Sequence, residues 1–134
     1  MPRSPLFIGA EAERDRATRL GVGRMTVGST LIAAGVARRL FGIPAEYDNG
    51  TARLVARLAG VRNIALGAWS LQVRDHSKAE RRLCYQLNAA VDAADVAVLL
   101  WAGFTHKELR RAALMGSALG VSMLLGWMDL LEDA

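Results

Sequence analysis

Asn88, Asp92 and Asp95 stand at i, i+4 and i+7 of an apolar stretch, a spacing that a helix turns into one polar stripe. Arg24, Arg57 and Arg62, the last followed directly by Asn63, interrupt two other apolar stretches. Ionic and amide side chains in such surroundings have a limited set of uses. They can neutralise one another and fix helix register, or mark a proton path or a site for a polar or anionic ligand such as a lipid headgroup. Two carboxylates can also hold a divalent cation, but the nearby arginines oppose this electrostatically, and no metal is expected. Ser70, Ser117 and Ser122 have no neighbouring His to form a nucleophilic pair, and Ser77 follows His76 only in a polar loop, so an enzyme is not the expected class.

The elements that must position these residues are apolar helices. A hydrocarbon core of about 30 Å asks for about 20 apolar residues in a helix. Four stretches qualify by length, at 20–41, 53–73, 83–104 and 112–128. A charged lead-in over 11–19 precedes the first, and Pro44 with Asp48-Asn49-Gly50 breaks the chain before the second. The polar run 74–82 separates the second from the third, and the basic connection 105–111 separates the third from the fourth. The second stretch carries Arg57, Arg62 and Asn63 and is the most polar of the four. The expected fold class is therefore all-α, a single-domain integral membrane bundle of four transmembrane helices over 1–134.

A soluble four-helix bundle is the rival architecture. Against it, the fourth stretch has no charged face through Met128, and a surface helix needs one. Its Gly116, Gly120, Ser122 and Gly126 form the small-residue pattern by which membrane helices approach one another. Trp69, Trp101 and Trp127 fall near the ends of the second, third and fourth stretches, as an interfacial aromatic belt would place them. In this arrangement Arg62 shares the midplane with Asp92 and Asp95, Arg57 lies nearer the outer end, and Arg24 comes level with Asn88. Arginines on the N-terminal side and in the 74–82 loop slightly outnumber those opposite, which places a multi-pass protein in the cell membrane with both termini in the cytoplasm.

Composition narrows the function class further. The chain has 134 residues, 52% of them hydrophobic, and a formal net charge of +4 from 17 Lys+Arg and 13 Asp+Glu. Its basic residues punctuate apolar runs and do not form a face that could track a phosphate backbone, so the expected contacts are membrane lipids and not nucleic acid. Cys84, the single cysteine, excludes an intrachain disulfide. His76 and His106 fall in loops at opposite ends and cannot together ligate one haem, and no cofactor is expected. Gly21-Val22-Gly23 and Gly28 lack the preceding strand of a dinucleotide loop and read as packing glycines. Residues 1–10 lack a long apolar core and a cleavage site, so the N-terminus is expected to be retained.

Gly60-Val61-Arg62-Asn63-Ile64-Ala65-Leu66-Gly67, followed by Asp92-x-x-Asp95 in another apolar stretch, resembles a family of small four-span membrane proteins grouped as a domain of unknown function. Asn63 stands where Asp is commoner in that family. The resemblance implies a membrane bundle and carries no activity. Two roles follow as expectations. One is a non-enzymatic accessory or assembly subunit that meets larger membrane proteins through the Gly116, Gly120, Ser122 and Gly126 face. The other is a binding or transport protein that uses Arg24, Arg57, Arg62, Asn63, Asn88, Asp92 and Asp95 for a proton, a lipid headgroup or a small polar ligand.

Overall fold

A computed structural model describes residues 3–7 and 12–134; the expectation of a retained N-terminal segment over 1–10 lies partly outside them. Among the described residues every regular element is helical: α1 (Glu13–Ile32), α2 (Ala34–Phe41), α3 (Gly50–Gln72), α4 (Lys78–Thr105) and α5 (Arg110–Asp133), with short 3₁₀ turns between them. The all-α class is thus observed. The helix starts have local causes. The Asn49 side chain accepts from the Ala52 backbone N–H to cap α3, and Ser77 with Glu80 forms a reciprocal capping box on α4.

The first expected span is not one straight helix. At Ala33 the backbone leaves the helical region, with ψ at 67°, and the axis turns by 109° between α1 and α2. No proline marks the break, so the sequence carried no signal for it. Helix α2 ends on Gly42, whose φ of 66° lets the Gly42 and Ile43 amides fold back onto the carbonyls of the last turn. In the turn that follows, the hydrogen bond from Arg53 holds the Asp48 carboxyl below the ordinary carboxylate range, with Arg38 adding its charge.

Helices α1 and α3 run antiparallel in close contact, and glycines make the contact possible. A methyl group on Gly28 would sit 2.6 Å from the Gly60 carbonyl oxygen, and one on Gly67 would sit 2.6 Å from that of Gly21. Between these close approaches large side chains fill the sockets: Leu71 over Gly21, Met25 over Gly67, Ile64 over Gly28 and Ile32 over Gly60. The packing role expected for Gly21, Gly23 and Gly28 is seen at Gly21 and Gly28, whereas Gly23 faces open space. Helices α4 and α5 form a second antiparallel pair, in which Leu99 covers Gly116, Val96 covers Gly120 and Ala113 abuts Gly103. Gly126 is covered by Leu20 and Phe7. The glycines of the face expected to meet a partner protein are therefore filled from within the chain, because the neighbouring helix supplies the knobs for these sockets.

The two pairs are joined most fully at one end. Phe7, Ala17, Leu20, Val73, Cys84, Tyr85, Trp127 and Leu130 form a buried cluster there, with Tyr85 and Trp127 stacked at 6.0 Å between ring centres. The described N-terminal segment from Arg3, the C-terminal residues and the turn between α3 and α4 meet at this end. Asp129 accepts from the Arg3 and Ser4 backbone amides and from the Arg3 side chain, Arg14 pairs with Asp75, and Arg82 donates to the Leu131 and Ala134 carbonyls. Trp127 is fully buried and Tyr85 nearly so, so the Trp127 indole packs in the core and is not presented on the outer surface.

Two helices, α4 and the continuous stretch of α5 with its preceding turn, are long and apolar enough to cross a membrane. A third span is reached only if the bent α1–α2 pair counts as one. Within the most apolar windows of α4 and α5 only 17% and 33% of residues are buried inside the chain. Trp101, Phe104 and Val98 are 70%, 84% and 67% exposed, so α4 presents large apolar side chains on its outer side.

If the glycine sockets set the α1–α3 distance, Gly28→Ala and Gly60→Ala should each lower the thermal midpoint in detergent, by an overpacking cost of about 1–3 kcal/mol. Gly23→Ala, whose new methyl meets nothing within 4 Å, should be neutral or slightly stabilising. Equal effects at all three positions would contradict the close approach.

Candidate functional site

Arg24 projects from the middle of α1 into the space between the two helix pairs, where it is 1% exposed. Its Nε donates to the Asn88 side-chain oxygen at 2.7 Å and its Nη1 to the Asn63 side-chain oxygen at 2.6 Å. Its Nη2 donates to Asp92 Oδ1 at 2.7 Å and to the Asn88 backbone carbonyl at 3.3 Å. The opposing acceptors come from α3 and α4, so one guanidinium ties three helices together. The planar donor fork of Arg suits this use, where the point charge of Lys would not reach the same acceptors.

The acceptors are themselves held. Asp92, 4% exposed, receives a second hydrogen bond at Oδ2 from the Trp127 indole N–H at 2.8 Å, which brings α5 into the network. Asn88 Nδ2 donates to the Cys84 carbonyl at 2.9 Å and to Ser70 Oγ at 3.3 Å. Asn63 Nδ2 donates to the Ala59 carbonyl at 2.8 Å. Among the described residues the only buried side-chain polar atoms without a partner are Arg16 Nε and Ser117 Oγ, and neither bonds to this network. Every buried charge here has an opposite charge and hydrogen bonds, the condition under which burial is tolerable.

The expected cluster therefore divides. Arg24, Asn63, Asn88 and Asp92 come together in the interior. Arg62 meets Asp95 at 2.6 Å in a separate pair, their side chains 42% and 36% exposed; the pairing expected for Arg62 falls on Asp95 and not on Asp92, whose two oxygens are taken by Arg24 and Trp127. Arg57 is exposed and makes no hydrogen bond or ion pair among the described residues, which removes it from the cluster. With Asp92 and Asp95 committed to different partners, the carboxylates do not share a ligand position. Ser70, Cys84 and Trp127 belong to the network but were not singled out for it. Their positions on α3, α4 and α5 could have been inferred only from three-dimensional register. A cavity of about 110 Å³ lies elsewhere, among α1, α2, α3 and the turn between the last two, lined by residues including Leu31, Ala37, Phe41, Ile43 and Tyr47.

No family model, curated protein or solved structure matches the chain. Arg24 and Asp92 neutralise each other, and Asn63, Asn88 and Trp127 supply hydrogen bonds around them.

Removing one member of a buried ion pair costs about 3–5 kcal/mol, whereas replacing both by apolar groups costs far less. Arg24→Leu and Asp92→Leu should each strongly lower stability in detergent, and the double substitution should lose clearly less than the sum of the two. Additive losses would contradict the pairing. Trp127→Phe should cost about 1–3 kcal/mol through the lost hydrogen bond to the carboxylate, and this loss should vanish in the Asp92→Leu background.

Proposed function

We propose that the protein is a four-span integral membrane protein, with α1–α2 as a bent first span and α3, α4 and α5 as the others, which serves as a non-enzymatic accessory or assembly module of a larger membrane complex. The observation that carries this reading is the inversion of polarity. The Arg24–Asp92 ion pair is buried between the helix pairs, while large apolar side chains face outward along α3, α4 and α5. A surface of that kind is suited to lipid and to other membrane helices, which pack by shape and small residues and gain little from hydrophobic transfer.

Helix α3 is too polar to be counted as a span on composition, but its polar groups have outlets. Asn63 is bonded to Arg24 and Arg62 to Asp95. Arg57 lies about 10 Å from the start of α3 at a rise of about 1.5 Å per residue, so its stem can carry the charge toward the interface. The meeting of both termini with the α3–α4 turn at one end supports an even number of crossings, and the arginine distribution supports the cytoplasm for that end. The likeness of Gly60-Val61-Arg62-Asn63 and Asp92-x-x-Asp95 to the small four-span family is part of the same reading. A partner protein would meet the apolar perimeter, since the α5 glycines are already filled.

A second reading, a binding or transport role for a proton or small polar ligand, draws on one observation: Arg62 and Asp95 are half-exposed and their charges are within reach of a ligand.

The protein should stay in the membrane pellet through high-salt and alkaline carbonate washes, and a C-terminal tag should resist impermeant labelling reagents in intact cells. Release by carbonate would contradict the membrane assignment, and labelling from outside would contradict the orientation. After extraction in mild detergent, a stoichiometric partner protein would support the accessory role. A retained small molecule without a protein partner would support the second reading.

A further inference from the structure

The Arg62–Asp95 pair differs from Arg24–Asp92 in what surrounds it. At a rise of about 1.5 Å per residue Arg62 lies about 18 Å from the start of α3 and Asp95 about 15 Å from the end of α4. These helix ends lie on the same side because the two helices are antiparallel, so the pair sits near the centre of a core about 30 Å thick. Arg62 is too deep for its stem to reach either interface. Both side chains are nevertheless more than a third exposed, and the large side chains within one turn of them are open as well: Leu58 by 62%, Val61 by 58% and Val98 by 67%. Lipid tails can cover the three apolar residues but offer no hydrogen bond to the ions, and exposed charge at this depth is among the most costly arrangements a membrane protein can present.

We propose that this α3–α4 face is where a second copy of the chain packs, with Arg62 and Asp95 of each copy completing the ion pair of the other. The occupant is indicated by charge. The face carries one cation and one anion side by side, so under the two-fold axis of an isologous dimer each Arg62 comes opposite an Asp95. Four alternating charges then share one buried site, and Leu58, Val61 and Val98 close around it. A lipid headgroup would have to leave the interface to reach them. The proposal rests on the membrane assignment of the preceding section. It adds an interface to that assignment.

The test uses full-length protein in liposomes, at protein-to-lipid ratios low enough to separate chance neighbours. Singly labelled wild-type protein should bleach in two steps. Arg62→Asp and Asp95→Arg, each of which places like charges on both sides of the axis, should each bleach in one step. When the two variants carry different tags and are co-expressed, they should co-purify as a one-to-one pair, because an all-acidic face then meets an all-basic one. That rescue is not expected of a substitution that merely damages the fold. One-step bleaching of wild-type protein that survives carbonate washing would overturn the dimer and leave the membrane assignment standing. Release by carbonate would overturn the membrane assignment and the dimer with it. Two-step bleaching by either variant alone, no rescue on co-expression, or a different protein found cross-linked to this face in place of a second copy would also overturn the proposal.

Discussion

A guanidinium removed from water must be given an anion and acceptors for its N–H groups, and in this chain that requirement falls on Arg24. Meeting it fixes more than one side chain. The carboxylate must come from α4, an amide oxygen from α3 and another from α4, and the free oxygen of the carboxylate then needs a donor, which α5 provides through Trp127. The relative depth of four helices follows from the geometry of one ion. A shift of any of them by one turn, about 5.4 Å, would leave a charged or amide group without a partner in the interior.

The glycines serve the same end by a different route. Backbone contact between α1 and α3 brings Asn63 near enough to reach Arg24, and sockets filled by Met25, Ile32, Ile64 and Leu71 set the antiparallel register. Close packing and polar satisfaction thus constrain each other. The sockets hold the helices at the distance the hydrogen bonds need, and the hydrogen bonds exclude neighbouring registers that the repeating glycines would tolerate. The aromatic and aliphatic cluster at the end shared by both termini closes the bundle there.

Much of this was legible in the sequence where a single periodicity carried the information. The stripe of Asn88, Asp92 and Asp95 is a consequence of helical spacing, and the level of Arg24 beside Asn88 follows from counting residues along antiparallel helices. What was not legible depends on rotation about the helix axes. Asp92 and Asp95 lie three residues apart, yet one points inward to Arg24 and the other toward Arg62 at the edge, a distinction that requires knowing which helices flank α4. The burial of Trp127 was not legible for the same reason: only the neighbouring Tyr85 and Asp92 show why its side chain turns inward. The bend at Ala33 has no proline to announce it. The fate of the α5 glycines depended on which helix would fill them.

The Arg24–Asp92 ion pair is buried and bridged to α5 through Trp127. The three tryptophans allow a direct measurement, since Trp127 is fully buried, Trp69 partly buried and Trp101 exposed. Nuclear magnetic resonance of the indole N–H groups, in detergent micelles or nanodiscs, should find the Trp127 signal shifted by its carboxylate acceptor and the slowest of the three to exchange with solvent. Asp92→Ala should move that signal and speed its exchange while leaving the Trp101 signal in place. A Trp127 signal that exchanges as fast as that of Trp101, or that does not respond to the loss of Asp92, would contradict the buried bridge from Arg24 through Asp92 to α5.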